Sequence, residues 1–516
     1  MGFFSLFKRI WNAPPKHQYK KRSYAGAAKG RLHGDWQAYG TSGNAENQGS
    51  IQTLRNRVRS LVRDNDYVKG LKREFINNTV YLGIDFQAQV RTVKTQINQD
   101  NINDQIEAAW KSWCKAKYCD VSTRQTFQQM QRLIAGSYFE SGEVFIRIIK
   151  QSFNGSPVPL ALEVIEADQV ADDYNATHNE NRIVMGVELN QWQQPVAYWI
   201  YENHPGDYHY GSTGLGGRNN RTANSRHLTR IPATEIIHYY NKDRPGVVRG
   251  VPLLHSSINR LRHLDKYEEA ELVACRAAAN YMGIITSEQE DFSEPDTDDD
   301  GNYLGGEKPN TEESLKPGII KRLAHGEEFN SFTPNRPNAA FAEFYRSNLR
   351  AIAAAVGISY QRISHDSSQS NYSSSRLDML LERDTWKVFQ QDFIAQVLQP
   401  IYEIWLEQAV LAGVLRFSDY ALRPERYQNV RWQTRGWGWV DPQKEQQATI
   451  QALASGTQTY TAVFAEQGRD FTEEIKVMEK ERKLLEAAGI NPIMLNQQLF
   501  PEPEGNSGAV DNAANS

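Results

Sequence analysis

Apolar residues along this 516-residue chain follow a helical period, switch to a strand period near residue 143 and return to the helical period at residue 252. A chain patterned this way is neither all helix nor all sheet. From Thr53 onward, Leu54, Val58, Leu61, Val68, Leu71 and Phe75 recur at helical spacing, while Arg55, Arg57, Arg59, Arg63, Lys69, Lys72 and Arg73 take the other positions, which predicts basic amphipathic helices. Ile106, Trp110 and Trp113 share one face of a predicted helix over 102–115, and another follows over 124–140. Then Glu143-Val-Phe-Ile-Arg-Ile-Ile, Leu160-Ala-Leu-Glu-Val-Ile, Ile183-Val-Met-Gly-Val-Glu-Leu and Val196-Ala-Tyr-Trp-Ile stand between turn signals and predict an antiparallel sheet. Helical stripes return over 252–282, with Pro252 in the first turn and Leu254, Ile258, Leu261 and Leu264 aligned. Further helices are expected over 339–357 (Phe341, Phe344, Tyr345, Leu349, Ile352, Val356), 376–412, 443–454 and 471–488. The expected class is α+β, predominantly helical.

Three stretches fall outside this pattern. Residues 1–50 place Lys8, Arg9, Lys16, Lys20, Lys21, Arg22, Lys29 and Arg31 before the first acid, Asp35, and read as a flexible basic arm. Between Thr286 and Glu313 lie eleven acids, among them Asp296, Asp298, Asp299 and Asp300, against one base, Lys308. Such self-repelling sequence does not pack into a core and is expected to project as a loop. Residues 491–516 form a Pro-, Gly- and Asn-containing tail read as disordered.

The formal charge of −4 argues against a protein that coats DNA through a general basic surface, since coating displaces counterions with excess Lys and Arg. Cys114, Cys119 and Cys275 match neither a disulfide framework nor a CxxC metal knuckle, so a reducing compartment is expected. Met1-Gly-Phe-Phe-Ser-Leu-Phe meets Lys8 and Arg9 too soon for a signal peptide, and no run of about 18 apolar residues predicts a membrane span.

The motifs of catalysis are not assembled. Gly211-Ser-Thr-Gly-Leu-Gly-Gly-Arg lacks the lysine and hydroxyl of a phosphate-binding loop and reads as a surface loop. His204, Asp207 and His209 are possible metal ligands without a defined spacing, and the acidic run lacks the glycine and glutamate positions of a calcium loop. No GxSxG nucleophile turn occurs. The reading is a non-enzyme with no cofactor and no metal.

From about residue 50 to 485 the chain resembles the lambda-type phage portal proteins. The resemblance is carried by Leu61-Val-Arg-Asp-Asn-Asp-Tyr-Val-Lys-Gly, Val80-Tyr-Leu-Gly-Ile, Trp110-Lys-Ser-Trp-Cys, Cys119-Asp, Ser141-Gly-Glu-Val-Phe, Ile165-Glu-Ala-Asp and Gly186-Val-Glu-Leu. It continues through Ile231-Pro-Ala, Ile236-Ile-His238, Arg244-Pro-Gly-Val-Val-Arg-Gly-Val-Pro, Leu315-Lys-Pro-Gly, His325-Gly-Glu-Glu, Gly357-Ile-Ser-Tyr, Asp366, Asn371-Tyr-Ser-Ser-Ser-Arg and Trp439-Val-Asp-Pro-Gln-Lys-Glu. The acidic insertion from Asp291 to Glu313 departs from the family pattern.

The resemblance implies a subunit of a closed homododecameric ring at one capsid vertex of the virion, assembled in the host cytoplasm, through which double-stranded DNA is packaged and ejected. It implies a wing over 51–251, paired stem helices over 252–282 and 339–357 and a clip over 283–338. Beyond these it implies a tunnel loop over 358–375, a long helix and wing return over 376–438 and a crown over 439–490. On that reading Ser367, Ser368, Gln369, Ser370, Asn371 and Tyr372 face the DNA channel, and Asp296, Asp298, Asp299 and Asp300 form an acidic clip. The implied partners are the terminase large subunit, then head-tail connector proteins, with major capsid and scaffold proteins around the ring and no membrane. Two rival readings are a metal-dependent DNA-processing enzyme subunit, separable by divalent-metal-dependent cleavage of plasmid DNA, and a capsid or scaffold protein, separable by assembly size.

Overall fold

The computed structural model describes residues 40–90, 96–207, 228–280, 284–287, 327–330, 340–366, 368, 371–437, 442–466 and 471–487. The chain opens with α1 (Gly43–Gln48), α2 (Ile51–Asp64) and α3 (Asp66–Thr79). Asn65 ends α2 and starts α3, its side chain accepting the Val68 N–H at 3.1 Å, so one residue turns the chain without leaving an amide unpaired. The arm expected over 1–50 ends early, because α1 is stitched to a distant segment. Asn44 donates to the Gly246 carbonyl at 2.8 Å and accepts the Val248 N–H at 3.0 Å, and Arg244 pairs with Glu46 at 2.8 Å. Residues 1–39 lie outside the described residues.

Next come β1 (Asp85–Ala88), α4 (Gln96–Trp113), α5 (Ala116–Cys119) and α6 (Phe127–Ser141). Asp120 organises the approach to α6 by accepting backbone N–H bonds from Ser122, Arg124 and Gln125, and Thr126 with Gln129 then closes a capping box. Gly142 ends α6 at φ +77°, and a Cβ there would stand 2.0 Å from the Val251 carbonyl carbon, so glycine is required both by conformation and by space.

The strand-period region forms two sheets where sequence periodicity predicts one. They are built from β2 (Glu143–Ile149), β3 (Ala161–Ile165), β4 (Ala176–His178), β5 (Asn181–Val184), β6 (Val187–Leu189), β7 (Pro195–Tyr201), β8 (Leu228–Pro232) and β9 (Ile236–Tyr240). β9 returns to pair with β2, Glu143 opposite Tyr240, giving a three-stranded sheet β3-β2-β9, while β4 to β8 form a five-stranded antiparallel meander. Glu188 on β6 has no exposed side-chain surface and ties that meander together. It accepts from Asn181 of β5 at 2.8 Å, from Trp199 of β7 at 3.3 Å and from Arg230 of β8 at 2.8 and 3.0 Å, and His178 of β4 lies 3.5 Å away.

After β9 the chain makes α7 (Ile258–Asn280), β10 (Ile284–Ser287), β11 (Glu327–Asn330) and α8 (Phe341–Val356). α7 begins later than residue 252 because His255 N–H bonds the Pro252 carbonyl and Ser257 N–H bonds the Leu254 carbonyl, a pair of turns in place of a helical ladder. α8 buries Tyr345, Leu349, Ile352 and Val356 as expected, but Phe344 is 52% exposed. Then follow α9 (Tyr360–Ser364), α10 (Tyr372–Phe393), α11 (Gln399–Leu411), α12 (Glu425–Gln428), β12 (Val430–Gln433), α13 (Pro442–Ala454), α14 (Tyr460–Glu466) and α15 (Phe471–Ala487). α10 and α11 are one continuous helix joined through a π-helical turn over Ile394–Leu398. Pro400 explains the turn: it lacks the N–H that would bond Gln396, and its ring would crowd that carbonyl, so the helix widens and Gln399 N–H reaches back to Ile394.

The larger core is an aromatic knot in which Phe86, Trp110, Trp113, Phe127, Tyr402 and Trp405 meet, with ring centroids 4.6 Å apart for Phe86 and Tyr402 and 5.0 Å for Trp110 and Trp405. It locks β1, α4 and α6 onto α11, and β12 pairs with β1 to seal it, Phe86 opposite Trp432. A second core of Phe145, Val170, Met185, Val187, Tyr198, Ile200 and Ile231 lies against the five-stranded sheet.

Candidate functional site

The loop expected to face DNA is shorter than 358–375, because α9 and the first turn of α10 are helical and leave a connection of residues 365–371. Its two ends are held firmly. At one end Glu382, buried on α10, accepts the Ser359 N–H and lies 3.4 Å from Arg362, which also reaches Glu74 of α3 at 3.3 Å. His365 turns the chain at φ +53°, and Asp366 accepts from Tyr360 at 3.2 Å and from the Ser368 N–H at 2.9 Å. The Ser368 side chain and its N–H, both bonding Asp366, hold the carboxyl below its ordinary value. At the other end Asn371 caps α10 by accepting the Ser374 N–H at 2.8 Å.

Of the six expected loop residues, Ser368 and Asn371 are exposed, Tyr372 is the first residue of α10, and Ser367, Gln369 and Ser370 lie outside the described residues. Asp296, Asp298, Asp299 and Asp300 also lie outside them, as do His209 and the glycine-rich stretch from Gly211.

A second constellation was missed by sequence reasoning. Glu143, at the start of β2, is fully buried and accepts from Arg55 of α2, from Arg249 at 2.8 Å, from the Gly250 N–H at 2.9 Å and from His238 of β9 at 3.0 Å. Arg55, read from sequence as part of a solvated basic face, has no exposed side-chain surface. Arg249 spends its remaining donors on the carbonyls of Met185 at 2.6 Å and Ala167 at 2.9 Å, and its guanidinium lies 5.3 Å from the Phe145 ring. Burial alone would raise the Glu143 carboxyl, but Arg249, Arg55 and the His238 bond overcome it and hold the group well below the usual carboxylate range. Burial pushes the His238 pKa down, against the opposing pull of Glu143. Four of the segments that carry the family resemblance, those holding Glu143, Asp168, His238 and Arg249, converge here. The available signal was a carboxylate at the head of a strand whose other residues, Arg147 apart, are apolar, a setting that demands a buried partner.

Among the described residues Glu166, Asp168 and His204 bring three potential metal ligands within 4.8 Å of one another. The arrangement suits an ion pair better than a metal. Arg59 lies 3.0 Å from Glu166 and also pairs with Asp168, supplying the cation. The Gly206 N–H bonds Nδ1 of His204 at 3.0 Å, so the ring proton sits on Nε2, the atom that faces the carboxylates at 3.5 and 3.9 Å and that a metal would need bare. Asp207 adds only a backbone turn, its N–H bonding the His204 carbonyl.

No helix among the described residues is long and apolar enough to cross a membrane. The chain is 30% identical over 485 residues to the probable portal protein of Halomonas phage phiHAP-1, covering 91% of this chain and 90% of that one. It is 24% identical over 423 residues to portal protein B of Escherichia phage lambda, covering 75% of each. A chain in the neck of an empty gene transfer agent particle superposes with a TM-score of 0.44 at 14% identity, over 81% of this chain and 94% of that one. The family described as phage portal protein, lambda family, matches residues 29–390, and the chain belongs to that family.

Proposed function

We propose that this portal-family chain assembles into a closed dodecameric ring at one capsid vertex and conducts double-stranded DNA during packaging and ejection, working as a passive channel and not as an enzyme. The observation that carries the reading is topological. α7 and α8 pack on each other as a helix pair, with Tyr267 stacked on Phe341 at 5.5 Å, and in the sequence between them β10 pairs antiparallel with β11. We read this pair as the stem and the segment between its two helices as the clip. The acidic residues Asp296, Asp298, Asp299 and Asp300 then offer terminase, and later the connector proteins, a charged docking surface. Capsid and scaffold proteins would surround the ring.

The connection 365–371 carries hydroxyl and amide side chains that touch phosphates without anchoring them, whereas a basic lining would hold DNA through many counterion-releasing contacts. Lysine at Ser368 and Gln369 is expected to stall packaging in an assay with purified heads and motor while rings still form. Normal filling by that variant removes the loop from the channel. Asn371 is a poorer test position because it caps α10. Deleting Asp296 to Gly305 is expected to weaken terminase binding at low salt and leave ring size unchanged. Electron micrographs of the purified protein test the ring itself.

A further inference from the structure

α10 leaves a row of apolar side chains uncovered. Leu377, Leu380, Leu381 and Val388 are 58, 42, 61 and 60% exposed, and Leu377, Leu381 and Val388 follow one another at one- and two-turn spacing along a single face. The opposite face is fully used: Trp386, Gln390 and Phe393 are buried, Gln390 bonding the Asn78 carbonyl of α3 at 2.9 Å. Asp384 lies within the outward row and is exposed.

A second uncovered surface is also apolar but has a base at its rim. Between α7 and α8, Arg260, His263, Leu264, Tyr267, Phe344 and Asn348 line an open groove of about 680 Å³. Its floor is aromatic, Tyr267 standing edge-on to the exposed Phe344 at 5.3 Å, and its rim carries exposed Arg260 and His263.

We propose that the outward row of α10 of one subunit seats in the α7–α8 groove of the next copy, Leu377 and Leu381 against Phe344 and Tyr267, with Asp384 toward Arg260 and His263. The inference rests on the ring reading above and names the surfaces that close it. The two patches are apolar, the first bears Asp384 and the second Arg260 at its rim, and each is present once in every chain, so a heterologous contact repeated about an axis satisfies both in every copy.

The test uses the full chain in a Cys275→Ser background, since Cys275 is half-buried while Cys114 and Cys119 are buried. Leu381→Cys and Phe344→Cys are made singly and together and treated with a short bis-maleimide whose reach covers a helical turn. The double variant is expected to give a ladder of covalent multimers, a mixture of the two single variants a covalent dimer containing one of each, and each single variant alone no product. A product from Leu381→Cys alone overturns the pairing by placing two α10 faces together. No product from any combination, with rings still seen by native mass spectrometry, overturns the interface and leaves the ring standing. Monomer at every concentration overturns the ring reading itself. As an independent arm, Asp384→Arg is expected to raise the concentration at which rings form by about tenfold or more, and Arg260→Glu in the same chain to recover it. Failure of that recovery counts against the assigned charge contact.

Discussion

The cluster around Glu143 and the outward face of α10 both place side chains against their usual preference, in opposite directions. At Glu143, two guanidinium groups, a carboxylate and a histidine are withdrawn from water; on α10, leucines are left in it. The first arrangement is complete within one subunit, since among the described residues the donors to Glu143 come from α2, β9 and the 249–250 segment of the same chain. The second is incomplete, because α10 has already spent its other face on α3. Charge burial here secures the subunit, and the apolar exposure is what the proposed contact between copies would cover.

The comparison breaks first at Glu143. Glu143→Leu leaves Arg55 and Arg249 buried without their counterion and should cost about 3–5 kcal/mol, read from the urea midpoint of the subunit. A loss under about 1 kcal/mol would mean that the carbonyls of Ala167 and Met185 suffice for the two cations. Gly142→Ala should cost roughly 1–3 kcal/mol in thermal unfolding, since the new Cβ meets a backbone carbonyl that cannot step aside in a residue already at positive φ.

Glu188 sharpens the same contrast through pH. The Arg230 hydrogen bonds, against the opposing effect of burial, hold its carboxyl at about 2, below the ordinary value of 4.5. A depressed carboxylate contributes stability that is present above pH 4.5 and lost as pH falls through about 2. The stability gap between the natural chain and Glu188→Gln is therefore expected to shrink across that window, and a gap independent of pH would show that the contribution is not ionic. The smallest effect is expected on α10, where Leu381→Ser should move subunit stability by no more than about 0.5 kcal/mol. A larger loss would place Leu381 in the subunit's own core.

The helices were legible in sequence wherever their apolar stripe met a partner in the same chain. Trp110 and Trp113 were placed on a common face by spacing alone, and both are buried in the knot with Trp405. Phe344 belongs to the stripe of α8 by the same spacing but is exposed, because period shows which side chains align and not which of them find cover. The division into two sheets was illegible, since it depends on β9 choosing β2 across almost a hundred residues, a long-range pairing that no local pattern encodes. Arg55 shows the same limit for the Glu143 cluster. It shares its helix with Arg57 and Arg63, which do face solvent, and only the arrival of Glu143 on a separate element separates it from them.

Pro400 has a consequence for how the long helix is written. An ideal helix would carry the outward row from Val388 through Ala395 to Tyr402, one and then two heptads on. Ala395 is exposed, yet Tyr402 has no exposed surface and donates to the Tyr427 carbonyl at 2.8 Å. The wide turn inserts one residue and so shifts the frame in which the sequence is read onto the helix surface. Before it, that heptad position is exposed; after it, the same position is buried in the chain's own core. Deleting a single residue from 394–398 would merge the two frames and turn Tyr402 away from its partner, so this helix tolerates changes of side chain far better than changes of length.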